Sequence, residues 1–226
     1  MILPGFDPRD FSGLTRLFPL AGVVIFPHSV IPLHIFEPRY RQMTEDALSG
    51  DRLITIIQTR SSSAAPRREG PVPLEGTGCL GQILQHVRLS DGRFNMLLLG
   101  LRRVTIRAEV ESKALYRLAE VDILEDEEAH AHDDALREEL IALFRQYHET
   151  RSELGDELAE LLQKPIPLGA LTDIIAHSLP LTPLIKQGLL EEPFVGRRSD
   201  VLRSALRKLV GDVRPGRTFP PPFSVN

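Results

Sequence analysis

Two hydrophobic rhythms divide this chain. Up to about residue 125 apolar positions come in short β-type runs, and beyond it they recur at helical spacing. In the segment 17–40, LFPLAGVVIFPHSVIPLHIFEPRY, runs at 23–26 and 30–35 flank Pro27 and predict two strands followed by a polar helix. Pro32 lacks the amide that a ladder needs, which places its run at a sheet edge or a bulge. In an extended 30–36 segment Ile31, Leu33 and Ile35 share one face while Pro32, His34 and Phe36 share the other. One set is expected to build the core and the other to line a groove. The helix is predicted over 37–47, with Pro38 in its first turn and Tyr40, Met43, Ala47 and Leu48 on a buried face. Ser49-Gly50-Asp51 ends it, and a short apolar strand follows at 53–58. Residues 60–76, RSSSAAPRREGPVPLEG, read as a mobile loop. Runs at 81–89 and 93–100 flank Asp91-Gly92, a dipeptide suited to a tight hairpin. Strands at 102–109 and 116–124 complete a mostly antiparallel sheet or small barrel.

At Glu125 the pattern changes. EDEEAHAHDD reads as an acidic connector, and the helical half follows it. Leu136, Leu140, Leu143, Phe144 and Tyr147 form one stripe. Shorter helices are predicted at 154–163, 168–178 and 183–190, punctuated by Pro165, Pro167, Pro180 and Pro183. A final amphipathic helix at 199–211 turns Leu202, Ala205, Leu206, Leu209 and Val210 inward and Arg203, Arg207 and Lys208 outward. The expected organisation is an arm at 1–16, a β lobe at 17–125, a helical bundle at 126–212 and an extended tail at 213–226. This is an α+β arrangement.

Composition narrows the class. With 226 residues, 42% of them hydrophobic and 26% charged, the chain has material for a substantial core. A net charge of -4 gives no general attraction to nucleic acid or anionic membrane. Cys79 is the single cysteine, so an intramolecular disulfide is excluded. The opening residues lack a signal-peptide pattern, and no run approaches the roughly 18 apolar residues of a membrane helix. A soluble, cytoplasmic protein is expected.

Candidate chemistry is sparse. Gly76-Thr77-Gly78-Cys79-Leu80-Gly81 matches G-x-G-x-x-G in letters, but it leads into a strand instead of opening a helix. The acid expected about 20 residues onward is replaced by Leu97-Leu98-Leu99. These glycines read as a strand start where backbones approach closely. His130 and His132 among carboxylates read as a solvated linker, and His28 and His34 as turn and sheet residues, so no metal site is assigned. No serine lies in a nucleophile motif, and Cys79 reads as a small buried hydrophobe. No catalytic residue and no cofactor are assigned. Arg39, Arg41, Arg102, Arg103 and Arg107 form the best basic cluster of the β lobe. RNA recognition joins such charge to aromatic platforms. Here tryptophan is absent and tyrosines number three, so pairing of Arg102-Arg103 with Glu109 and Glu111 is the simpler reading.

The words themselves carry a resemblance. FPLAGVVIFPHSVIPLHIFEPRYRQM resembles the opening signature of the Lon protease N-terminal, or substrate-binding, domain family, and IFEPRYRQM resembles its stand-alone members in particular. The similarity continues through Gly76-Thr77-Gly78, Asp91-Gly92-Arg93 and Gly100-Leu101-Arg102-Arg103-Val104-Thr105-Ile106. It then takes in Ile175-Ala176-His177-Ser178-Leu179-Pro180 and Lys186-Gln187, spanning about 14–210. The resemblance implies a PUA-like, mostly antiparallel β-barrel lobe followed by an α-helical bundle. It also implies a non-catalytic module that binds protein or peptide segments. In the full protease such domains act ahead of an ATPase and a serine–lysine peptidase. This sequence has no G-x-x-x-x-G-K-[ST] loop, lacks the dipeptide Gly-Lys, and ends at Asn226, too soon for a peptidase domain. Protease activity is therefore not carried over. The implied partners are unfolded or extended polypeptide segments and a protease or chaperone to which they are presented. The candidate peptide-binding residues are Phe26, His34, Phe36, Arg39 and Tyr40, the last two near the rim. An RNA-binding PUA-like module is the alternative.

Overall fold

The computed structural model describes residues 6–60, 71–127, 133–149, 164 and 166–211. Its strands are β1 (Leu14–Leu20), β2 (Val30–Ile35), β3 (Leu53–Gln58), β4 (Thr77–Arg88), β5 (Phe94–Val110) and β6 (Arg117–Leu124). Its helices are α1 (Pro38–Leu48), α2 (Asp133–Glu149), α3 (Leu168–Ser178), α4 (Pro183–Glu191) and α5 (Val195–Gly211). Contacts between Cα atoms divide the chain into two compact units, Met1–Glu127 with Asp173–Pro193, and Glu128–Thr172 with Phe194–Asn226.

The first unit is built on a mixed six-stranded sheet in the order β2-β5-β4-β3-β1-β6. β1 and β3 run parallel, and the other pairings are antiparallel. β5 is long enough to pair with β4 along one edge, and with β2 and then β6 along the other. The pairings β5-β4-β3-β1-β6-β5 thus form a closed cycle, with β2 added outside it. Leu17, Leu53, Ile57, Leu80, Val104, Ala119 and Val121 make one core cluster of this sheet. α1 follows most of its predicted face: Tyr40, Met43 and Ala47 are buried and Leu48 is half-buried, and the Tyr40 ring packs 4.5 Å from that of Phe18.

Four details depart from the sequence reading, each for a local reason. The strand expected at 23–26 is an irregular segment with Val24, Ile25 and Phe26 buried and Val23 exposed, and the first strand is instead Leu14–Leu20, reaching into the supposed arm. Polar Thr15 disguised that strand; its hydroxyl is satisfied inside by Thr55 at 2.9 Å. Residues 26–29 dock across Gly100: the His28 amide donates to the Gly100 carbonyl at 2.8 Å, and the Gly100 amide to the Ser29 carbonyl at 2.8 Å. A Cβ on Gly100 would overlap the Phe26 carbonyl. Next, the runs at 93–100 and 102–109 are one strand, because a register shift against β4 absorbs Leu101 as a bulge. β4 starts at Thr77, within the glycine run, where a Cβ on Gly78 would stand 2.7 Å from the Ile56 carbonyl. Finally, Asp173–Pro193, expected in the helical bundle, belongs to the unit of the sheet. Buried Arg103 of β5 pairs with buried Asp173 and donates to the Leu190 carbonyl at 3.1 Å, while Gln187 donates to the Thr77 carbonyl at 3.0 Å.

In the second unit α2 packs along α5. Leu140, Phe144, Leu202 and Leu206 are fully buried, and Glu139 pairs with Arg203 and Arg207. α5 starts at Val195, one turn earlier than expected. The loop residues 61–70, residues 128–132 of the acidic connector with His130 and His132, the helix expected at 154–163 and the tail at 213–226 lie outside the described residues.

Candidate functional site

The pleat of β2 sorts its side chains as the alternation requires. Ile35 is buried and Ile31 and Leu33 are half-buried, whereas Pro32, His34 and Phe36 are exposed. The register carries this outer face across the sheet. Pro32 stands opposite Leu97 and His34 opposite Asn95 on β5, which in turn face Gln85 and Val87 on β4. These six residues are the outward lining of a mostly apolar groove of about 350 Å³. Val87 in the lining and Val30 and Phe36 beside it expose 61%, 45% and 59% of their surface, a concentration of apolar area that solvent does not favour. The inward partners Phe94, Met96 and Leu98 are buried, so the groove floor is fixed by the core beneath it.

A short polar strip crosses this surface. His34 Nδ1 lies 2.6 Å from Asn95 Oδ1, and Arg93 stands 3.4 Å from His34 Nε2. Arginine can only donate, so Nε2 accepts and the Nδ1 proton is donated to Asn95. The His34 ring also stacks at 24° on that of Phe36, 6.1 Å between centroids. Among the described residues β2 pairs only with β5. The Gly100 amide donates to Ser29, so alternation sets Pro32 at a non-hydrogen-bonded position of that ladder. Its missing amide then faces the free edge, which blunts strand addition there and leaves the side-chain groove as the better docking surface.

The five sequence-derived candidates do not form one site. His34 and Phe36 belong to the groove. Phe26 is fully buried beneath Gly100 and presents no surface, and Tyr40 is buried against Phe18. Arg39 is exposed, paired with Glu37 at 2.8 Å, and lies with the edge of Tyr40 in a separate pocket of about 160 Å³ shared with Tyr116 and Arg117. Burial raises the Tyr40 hydroxyl above the ordinary tyrosine range. The groove residues that the sequence reading did not name are Gln85, Val87, Asn95 and Leu97. Counting outward by twos from the Asp91-Gly92 turn puts them on one face.

The basic cluster is dispersed. Arg103 is buried and bound to Asp173 and Asp126, and Arg107 pairs with Asp122. Glu109, expected to pair with Arg102-Arg103, is held instead by Arg117, which lowers its pKa. Cys79 is fully buried, and burial pushes its thiol up, away from the thiolate a nucleophile requires. The groove's chemistry is therefore that of contact: apolar surface, two imidazoles, and amides that can hydrogen-bond an extended chain.

Known proteins match this chain over nearly its whole described length. The family model for the ATP-dependent protease La (LON) substrate-binding domain matches residues 15–208. A Lon protease of Xanthomonas oryzae pv. oryzae is 31% identical over 187 residues, which cover 82% of this chain but 22% of that protein. Lon protease 3 of Sorangium cellulosum is 29% identical over 182 residues, covering 79% of this chain and 21% of its own length. The chain thus spans about a fifth of the curated relatives it matches. Among solved structures, the N-terminal domain of Mycobacterium avium complex Lon protease superposes with a TM-score of 0.66 at 22% identity, covering 89% of this chain and 100% of that one. A Lon N-terminal domain protein from Xanthomonas campestris gives 0.60 at 21% identity, covering 84% and 97%. At such identities these two speak for the fold, whereas the family match speaks for descent: the chain belongs to the Lon substrate-binding domain family.

Proposed function

We propose that this chain is a non-catalytic polypeptide-binding module that holds unfolded or extended apolar segments in the groove across β2, β5 and β4. The observation that carries the reading is the outer face of that sheet, where an apolar groove of about 350 Å³ is lined by exposed Val87 and flanked by exposed Val30 and Phe36. Burying such surface against a client removes it from water at roughly 25 cal/mol per Å² of apolar area. Family membership supports the substrate class, since the matched portion of Lon is its substrate-binding domain. The closed cycle of pairings is read as the small barrel of a PUA-like lobe. The module works in the cytoplasm as an adaptor, presenting clients to a protease or chaperone, and three of the five arginines that would make an RNA surface, Arg39, Arg103 and Arg107, are engaged in internal pairs. No helix among the described residues is long and apolar enough to cross a membrane.

The test is fluorescence anisotropy of a labelled, permanently unfolded polypeptide titrated with wild type, Val87→Glu and Phe36→Ala, each checked for folding by circular dichroism. Binding by wild type that falls at least about tenfold in the folded Val87→Glu variant, about 1.4 kcal/mol, supports the groove. Equal binding by all three places the client elsewhere. Salt-sensitive capture of RNA in its place would return the reading to the PUA-like alternative.

A further inference from the structure

The groove is not electrically symmetric, and its two ends differ in what they can hold. None of its lining residues is a carboxylate. At the end nearest the β4–β5 turn, Arg93 approaches His34 and the Arg41 guanidinium lies over Gly92. Register places Phe36 at this same end, because Ile35 pairs with Phe94. The neighbouring cations Arg93 and Arg88 are held by Asp91 and Glu45 in exposed pairs. Such pairs are weak in water and exchange partners readily. Arg41 has no carboxylate within ion-pairing distance among the described residues, so it leaves the turn end with an unbalanced positive charge.

We infer that the groove prefers an extended apolar segment flanked on one side by acidic side chains, which reach the turn end and meet Arg41 and Arg93. This rests on the groove reading above and adds to it a direction and a charge rule: the acidic flank lies at the turn, over Phe36, and the apolar residues run along Pro32, Leu97 and Val87. A basic flank at that end meets like charge and is disfavoured. Gly92 takes part because it is a close-approach position, with φ of 79° and no side chain to hold Arg41 away from the turn.

The experiment uses the full chain and peptides of one apolar core, acetylated and amidated. Their flanks are neutral, acidic at the N-terminal side, acidic at the C-terminal side, or basic at either side. A further peptide is neutral with a free C-terminal carboxylate. The expected result is that one acidic arm binds about two- to fivefold more tightly than the neutral parent at low salt. That gain is lost in Arg41→Gln, retained in Arg41→Lys, and screened out at high salt. Acidic arms that bind no better than the neutral parent overturn this inference while leaving the groove reading intact, and a gain that survives Arg41→Gln does the same. A gain confined to the free carboxylate peptide overturns it in favour of chain-end recognition. Failure of every peptide, the neutral parent included, removes the groove reading and this inference with it.

Discussion

Removing Asp173 and Arg103 together should destabilise the protein by well under the sum of the two single removals. The Arg103 and Asp173 side chains are each 2% exposed. The Arg103 guanidinium spends its donors on Asp173, on Asp126 at 3.3 Å and on the Leu190 carbonyl at 3.1 Å. Asp173→Ala leaves a buried cation with only a half-exposed carboxylate and one carbonyl. Breaking a buried pair from one side costs about 3–5 kcal/mol, and the surviving Asp126 contact points to the lower end, about 3 kcal/mol. Arg103→Met takes the Arg103 hydrogen bonds from the buried Asp173 carboxylate and should cost a similar amount. The double variant Arg103→Met/Asp173→Leu removes both members of this pair together, so neither is left buried facing the other's absence. It should cost well below the sum of the two single variants, because the penalty of an unmatched buried charge is counted in each single and not in the double. Urea unfolding followed by circular dichroism gives the four stabilities, and the cycle gives a coupling energy of about 3 kcal/mol or more. Single variants that each cost under about 1 kcal/mol, or a double variant that costs their sum, would refute the view that this pair fastens Asp173–Pro193 to the sheet.

Other positions make independent predictions. Gly100→Ala pushes a methyl into the Phe26 carbonyl and should cost about 1–3 kcal/mol or more, read as a lower thermal midpoint; an unchanged midpoint would mean the 26–29 segment does not dock there. Cys79, fully buried with its thiol raised by burial, should resist a thiol reagent in the native protein and react at the free-cysteine rate in urea, so prompt native labelling would contradict its placement. His177 is lowered by burial and then by Lys186, and its Nδ1 is buried without a hydrogen-bond partner among the described residues. The folded protein therefore binds fewer protons than the unfolded chain just below the ordinary histidine value. The stability present at neutral pH is lost as pH falls through that window, and His177→Asn should flatten the profile there.

Much of this architecture could be read in the residues. The alternation of Ile31, Leu33 and Ile35 against Pro32, His34 and Phe36 assigned the two faces of β2, and Asp91-Gly92 located the hairpin that completes the groove. The pattern misled where tertiary contacts overrode local preference. Val23 to Phe26 has strand composition, yet Val24, Ile25 and Phe26 are buried as irregular chain, and Gly100 lets the Phe26 backbone close in. Leu14–Leu20 carries a threonine pointing inward, a feature only its partner Thr55 explains. Phe26 and Tyr40 stand near exposed groove residues in sequence, but adjacency along a chain does not keep side chains on one surface. The Arg103–Asp173 pair joins residues 70 positions apart and left no local signal.

The most direct test of the central claim is amide chemical-shift mapping while an unfolded, apolar polypeptide is titrated into isotope-labelled protein. The groove account predicts that perturbations concentrate on residues 30–36, 85–89 and 93–97, with the α2–α5 pair unaffected. Shifts confined to Arg39, Tyr40, Tyr116 and Arg117, or spread over the helices and absent from the groove, would contradict it.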